Sequence, residues 1–170
     1  MKELTYFTII KTPIGKLLLN VSIKGLLSID YLNKLSETDA TKVLLSKFIC
    51  EKVNNHHKTV VKILDQLSNY FDGKLKHFSI DLDLRGTNFQ KSVWNSLINI
   101  PYGETTSYSL IAKSIGNEKA SRAVGQANNK NQIPIIIPCH RVIGKNGDLI
   151  GYAEGLQIKK WLLNHEINHK

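Results

Sequence analysis

Cysteine is nearly absent from this 170-residue chain, which holds Cys50 and Cys139 and no third. A disulfide-stapled scaffold is therefore excluded. The one bridge that two cysteines allow is disfavoured in a reducing cytoplasm, so two free thiols are expected, and Cys139 stays available as a nucleophile. Long apolar runs are missing too: none approaches the roughly 20 residues of a membrane helix. Met1-Lys2-Glu3-Leu4-Thr5 lacks a signal-peptide layout, so a cytoplasmic location with no membrane partner is expected. Among Cys50, His56, His57 and His77 neither a CxxC nor an HxxxH spacing occurs. Solvated loop histidines, no metal and no cofactor are the expectation. Acidic residues are the other shortage, 14 against 23 basic ones, for a net charge of +9. The excess is +4 over residues 1–85 and +5 over 86–170, a general basicity rather than one patch. It fits a nucleic-acid partner, because neutralised phosphates release counterions. What is present, 42% hydrophobic residues, suffices for ordinary packed cores in one or two small domains.

Along the chain, Tyr6-Phe7-Thr8-Ile9-Ile10, the turn Thr12-Pro13-Ile14-Gly15, the stretch 16–23, the turn Lys24-Gly25 and the stretch 26–32 predict an antiparallel meander. Residues 37–58, with Val43, Leu44, Leu45, Phe48 and Ile49, predict a helix. A second, amphipathic helix is predicted over 59–71, stopped by Asp72-Gly73. Ile80, Leu82 and Leu84 alternate with Ser79, Asp81 and Asp83 as a strand or extended linker. The break at Arg85-Gly86-Thr87 sets a boundary between a first domain over 1–80 and a second over 86–170. Thr87 is a cap for a helix over 88–99 with Phe89, Val93, Trp94 and Leu97 on one face. Ser107 caps another through Ser114, Gly116 stops it, and a third runs over 118–128. Joined at Ile115-Gly116-Asn117, the last two outline a helix-turn-helix. The class is α/β (α+β), with a strand-rich first domain and a helical second one.

The third helix carries almost only small side chains around Arg122. In a DNA-binding reading, Ala123, Gly125 and Ala127 admit it to a narrow minor groove, Arg122 reaches into the base stack, and small polar groups such as Asn128 bond phosphates. Close packing in a core, with Arg122 in an ion pair, is served equally well by the same residues.

The chemistry concentrates in Ile133-Pro134-Ile135-Ile136-Ile137-Pro138-Cys139-His140-Arg141-Val142-Ile143-Gly144. A thiol attacks as its thiolate, so a reactive cysteine needs a base or a positive field beside it. His140 is the candidate base and Arg141 the nearby cation. An inert core cysteine in an apolar run is the competing reading.

Pro138-Cys139-His140-Arg141-Val142, with Arg122-Ala123-Val124-Gly125 and Ile100-Pro101-Tyr102-Gly103-Glu104-Thr105-Thr106-Ser107-Tyr108 before it and Gly151-Tyr152-Ala153 and Leu162-Leu163-Asn164-His165-Glu166 after it, resembles the methylated-DNA–protein-cysteine alkyltransferases. The resemblance covers about residues 86–166. It implies a ribonuclease-H-like N-terminal sheet with helices and a winged-helix-like C-terminal domain. It implies irreversible transfer of an alkyl group from O6-alkylguanine, more weakly from O4-alkylthymine, in duplex DNA to Cys139, one base for each protein molecule. Transferred residue by residue, Glu166 orients His140, which deprotonates Cys139 through a water. Tyr108 protonates the departing base, and Asn131 braces the active-site turn. Pro134, Tyr152, Ala153 and Lys159 belong to the substrate pocket. Arg122 fills the space of the flipped nucleotide. The partner implied is double-stranded DNA containing alkylated bases, bound by a monomer.

Two departures stand out. Glu154 occupies a position where the family commonly has glycine, and Gln132 one where proline is common; the first alters the pocket wall, the second only loop rigidity. Two other classes share the outline. A non-catalytic lesion-binding protein of the same fold would lack the cysteine, and a DNA-binding regulator would use the helix-turn-helix alone.

Overall fold

The computed structural model describes residues 2–33, 36–53 and 58–170. The chain forms two compact units, Met1–Asp83 and Leu84–Lys170. In the first, β1 (Leu4–Thr12), β2 (Gly15–Ser22) and β3 (Gly25–Tyr31) form the expected antiparallel meander. The β1–β2 turn is fixed by its residues. The Thr12 hydroxyl donates to the Gly15 carbonyl at 2.7 Å and accepts the Ile14 amide at 3.3 Å. Gly15 takes φ 110°, which a side chain would strain. Leu17-Leu18-Leu19 makes β2 a strand with no exposed apolar face, as a continuous apolar run requires.

The helix predicted over 37–58 is shorter than its apolar pattern. It is α1 (Glu37–Lys47), capped by the Ser36 hydroxyl, which accepts the Asp39 amide at 3.1 Å. Phe48 is extended, and Ile49–Lys52 becomes β4, parallel to β1 with Leu4 opposite Ile49. The sheet order is therefore β3-β2-β1-β4. Phe48 and Ile49 continue the helical pattern in the sequence because the strand partner of this segment, β1, lies far away in sequence, where local periodicity carries no information. Ala40 and Leu44 of α1 pack with Phe7, Leu18 and Leu32, and half-buried Cys50 joins them. Residues 54–57 of that predicted helix, with His56 and His57, lie outside the described residues. Among the described residues no group of three His, Cys, Asp or Glu side chains could hold a metal.

Helix α2 (Lys58–Phe71) buries Val60, Ile63, Leu67 and Tyr70. Its Gln66 amide clamps Ser79, donating to the hydroxyl at 2.9 Å and accepting the backbone N–H at 2.8 Å. The segment at 80–84, expected as a strand or extended linker, is extended with a single bridge between Leu82 and Leu26. Ser22 anchors it by donating to the Asp83 carboxylate at 2.7 Å.

In the second unit, Thr87 and Gln90 form a capping box at the start of α3 (Asn88–Ile98), each satisfying a backbone N–H of the other. Val93, Trp94 and Leu97 are buried and Phe89 half-buried. The buried Trp94 indole needs a hydrogen-bond partner and donates to the Ala127 carbonyl at 2.9 Å. After β5 (Thr106–Ser107), Ser107 caps α4 (Tyr108–Ser114). Gly116 turns the chain at φ 72°. The predicted third helix opens as a 3-10 turn over Glu118–Ala120 and becomes α-helical only as α5 (Ser121–Asn129), which Ala120 enters without a side-chain cap. Helices α3, α4 and α5 pack on one another. A short β6 (Val142–Ile143) pairs in parallel with β5, and α6 (Leu156–Asn168) follows. No helix among the described residues is long and apolar enough to cross a membrane.

Candidate active site

Although the run before Cys139 is apolar and β-branched, it does not form a long strand. Pro134 and Pro138 remove two backbone donors, and the chain folds into successive turns instead. Asn131 holds them: its side-chain N–H donates to the Ile137 carbonyl at 2.8 Å and its oxygen accepts the Ile133 amide at 3.0 Å. Between these anchors Ile135 is forced to φ 76°, a costly conformation for a β-branched residue. Every residue from Ile133 to Val142 is buried, and Ile143 after them is half-buried. Cys139 and its two successors then make one 3-10 turn, Cys139–Arg141.

That turn aims His140 and Arg141 at Glu166 on α6. His140 Nε2 lies 2.8 Å from Glu166 Oε1, both side chains fully buried. Arg141 donates Nε to Oε2 at 2.9 Å and Nη2 to Oε1 at 3.0 Å, a bidentate pair, while Nη1 donates to the Ile100 carbonyl. The Gly103 amide adds a fourth donor to Glu166, at 3.1 Å. Burial pushes the Glu166 carboxyl up, but the His140 and Arg141 hydrogen bonds and charges outweigh it and hold it well below the usual carboxylate range. Burial pushes His140 below its ordinary value, against the pull of Glu166. Its Nδ1 has no hydrogen-bond partner among the described residues.

Burial also pushes the Cys139 thiol up to about 11, against a hydrogen bond from Asn131 and the charge of Lys159. Lys159 is wholly buried. Its ammonium donates to the Val142 and Ile150 carbonyls at 2.6 and 2.7 Å, and desolvation brings it down to about 8. It thus ties the loop before Tyr152 to β6 instead of presenting its head group as a pocket surface. The Tyr108 hydroxyl donates weakly to the same Ile150 carbonyl, at 3.4 Å. Burial first and then the Cys139 charge raise its phenol, which places Tyr108 in the field of the thiol. Pro134 is buried, Tyr152 and Glu154 are half-buried, and Ala153 is exposed.

The residues singled out on α5 divide between two sides. Arg122 and Ala123 are exposed and Gly125 is half-buried against the Tyr108 ring. Ala127 and Asn128 are buried, on the side that meets Trp94 and the active-site turn, where the Asn128 amide reaches the Cys139 carbonyl at 3.4 Å. Their side chains are therefore packing and bracing groups, not an outward face. Sequence reasoning missed the part of Arg141 in this network; its place beside His140 was the available signal.

The ionisations fix an acid sensitivity. Both His140 and Glu166 have folded values depressed below their unfolded ones, so the unfolded chain takes up protons first as pH falls. Their stability is complete above about pH 6.5 and is lost as pH falls, first through the histidine range and then below the ordinary glutamate value. Calorimetric melting temperature is expected to drop continuously from pH 7 to pH 4, and Glu166→Gln to flatten the part below pH 5.

Comparison with known proteins finds relatives of both halves of the chain. Residues 88–168 match the 6-O-methylguanine DNA methyltransferase DNA binding domain, and residues 5–84 its ribonuclease-like domain. A Methanosarcina barkeri protein named methylated-DNA–protein-cysteine methyltransferase is 49% identical over 166 residues, covering 96% of this chain and 98% of that one. The crystal structure of the Mycobacterium tuberculosis O6-methylguanine methyltransferase superposes with a TM-score of 0.82 at 42% identity, over 98% of this chain and 94% of that one. A structure of a Mycobacterium tuberculosis relative in complex with DNA gives 0.81 at 42% identity, over 96% and 94%. With both halves matched in order and a relative 49% identical over nearly the whole chain, the chain belongs to the 6-O-methylguanine DNA methyltransferase family.

Proposed function

We propose that this protein repairs alkylated duplex DNA by moving the alkyl group from O6 of guanine, and less readily from O4 of thymine, onto Sγ of Cys139. The observation that carries the reading is the fully buried pair between His140, on the turn that bears Cys139, and Glu166 of α6. In the step, the S–C bond forms as the C–O6 bond breaks, and the electron pair of that bond stays on the guanine. His140 takes the thiol proton at Nδ1 through a water, and Tyr108 gives a proton to the departing base. The product thioether has no good leaving group, so each molecule reacts once.

A stacked base cannot reach a buried thiol, so the nucleotide is flipped out of the helix. Arg122 at the exposed start of α5 fills the vacated space, and Ala123 and Gly125 let the helix approach the minor groove. Asn131 braces the acceptor turn. Pro134, Tyr152 and Ala153 border the base, and Lys159 holds the loop that carries the last two. One chain carries all of these groups within its second unit, which suits a monomer acting on a single lesion. The test is intact-mass spectrometry after incubation with a duplex containing O6-methylguanine. A gain of one methylene mass, mapped to Cys139, is expected; a modified Cys50 or an unchanged mass would overturn the proposal.

A further inference from the structure

We infer that Arg141 sets the charge and orientation of Glu166, and so acts as a positioning residue that keeps His140 neutral, with its bare Nδ1 as the proton acceptor. The inference rests on the reading of Cys139 as the alkyl acceptor and deepens it. It starts from the hydrogen-bond inventory of Glu166. Four donors converge on this carboxylate: two from Arg141, one from the Gly103 amide and one from His140 Nε2. Arg141 engages both oxygens at once through a planar fork, which fixes the rotation of the carboxylate plane. Its third contact, to the Ile100 carbonyl, and its position 5.7 Å from the centre of the Tyr102 ring lock the guanidinium itself.

The charge balance follows from those contacts. A buried glutamate alone with a histidine would draw a proton onto the imidazole, giving an ion pair and a base already occupied. Arg141 supplies the compensating cation permanently, because a guanidinium does not deprotonate in proteins. The other charged or titratable groups that act on His140 are Glu166 and Lys159, both on α6, and of these two Lys159 acts in the same direction as Arg141. With Glu166 accepting from Nε2–H, the imidazole tautomer is set, and Nδ1 is left as the lone-pair nitrogen. Nδ1 is buried and has no hydrogen-bond partner among the described residues.

Nitrogen-15 NMR of the wild-type imidazoles, together with the pH dependence of transfer, tests this. In the unreacted protein at neutral pH, His140 should be protonated at Nε2 alone. In Arg141→Gln the imidazole should take up a second proton, with its titration midpoint at least about one pH unit higher. Transfer at neutral pH should fall roughly ten- to hundredfold, the usual cost of removing a group that orients a functional histidine. The rate should recover as pH is raised, which a purely structural defect would not allow. Arg141→Lys keeps the cation and should leave the midpoint near that of wild type while slowing transfer. An Nδ1-protonated tautomer or an imidazolium in the wild type overturns the inference, and that measurement needs no variant to fold. An unshifted midpoint in folded Arg141→Gln overturns it as well. If Cys139 were not the acceptor, the mass experiment would fail while the NMR result stood, so the two failures are distinguishable.

Discussion

Cys139→Ser is expected to abolish alkyl transfer altogether while leaving DNA binding intact. The substitution changes one buried atom, so the turn, the Asn131 brace and the His140–Glu166–Arg141 network have no reason to move. The chemistry changes completely. A hydroxyl ionises far less readily than a thiol, and a hard alkoxide is a poor match for an alkyl carbon that a soft sulfur attacks well. Cys50, half-buried in β4 beside Thr5 in the other unit, has no histidine–carboxylate pair next to it among the described residues and is not expected to act as a second acceptor. Mass spectrometry should show no methyl gain at any residue, and a gel-shift assay should give an affinity near that of wild type. Transfer that survived the change would end the assignment of Cys139.

The second large effect is expected at Arg122→Ala, and it should depend on the substrate. Extruding a nucleotide costs a few kcal/mol of stacking and pairing. A side chain that occupies the gap recovers part of that. Every 1.4 kcal/mol recovered is a factor of ten, so a loss of roughly ten- to hundredfold in the rate on duplex DNA follows from removing it. The free modified base needs no flipping, and its reaction should be nearly unchanged. Arg122 stands exposed on the first turn of α5, far from any packing duty. Equal slowing on both substrates would mean that the residue acts on the pocket or on folding.

These expectations rest on residues that the sequence displays unevenly. Pro138-Cys139-His140-Arg141-Val142 is local, and so were the Thr87 and Ser107 caps and the two turns of the meander, since each depends on neighbours within a few positions. Strand β4 was hidden because what makes it a strand is Leu4 to Phe7, at the other end of the unit. The same holds for Arg141. Its sequence neighbours announce a cation near a histidine, whereas its partner Glu166 arrives from a helix 25 residues on. Ala127 and Asn128 show a further limit. Small residues suit an outward face and an inward one equally, and only the position of Trp94 decides that these two turn inward.

The turns from Ile133 to Cys139, closed by Asn131 and strained at Ile135, also bear on how quickly a lesion is dealt with. A binding site that is formed in only a fraction of molecules weakens its apparent affinity by that fraction. Here the acceptor is part of a buried, hydrogen-bonded core whose unfavourable backbone angle is already accommodated when the protein folds. With Cys139 as acceptor, this turn is already built in the unreacted protein, so capture is expected to require little rebuilding of the turn itself. The slow, improbable event is transferred to the other partner: the spontaneous opening of a base pair, which a damaged base undergoes more readily than an intact one. Selection between damaged and normal bases can thus begin in the dynamics of the DNA, before any contact with sulfur.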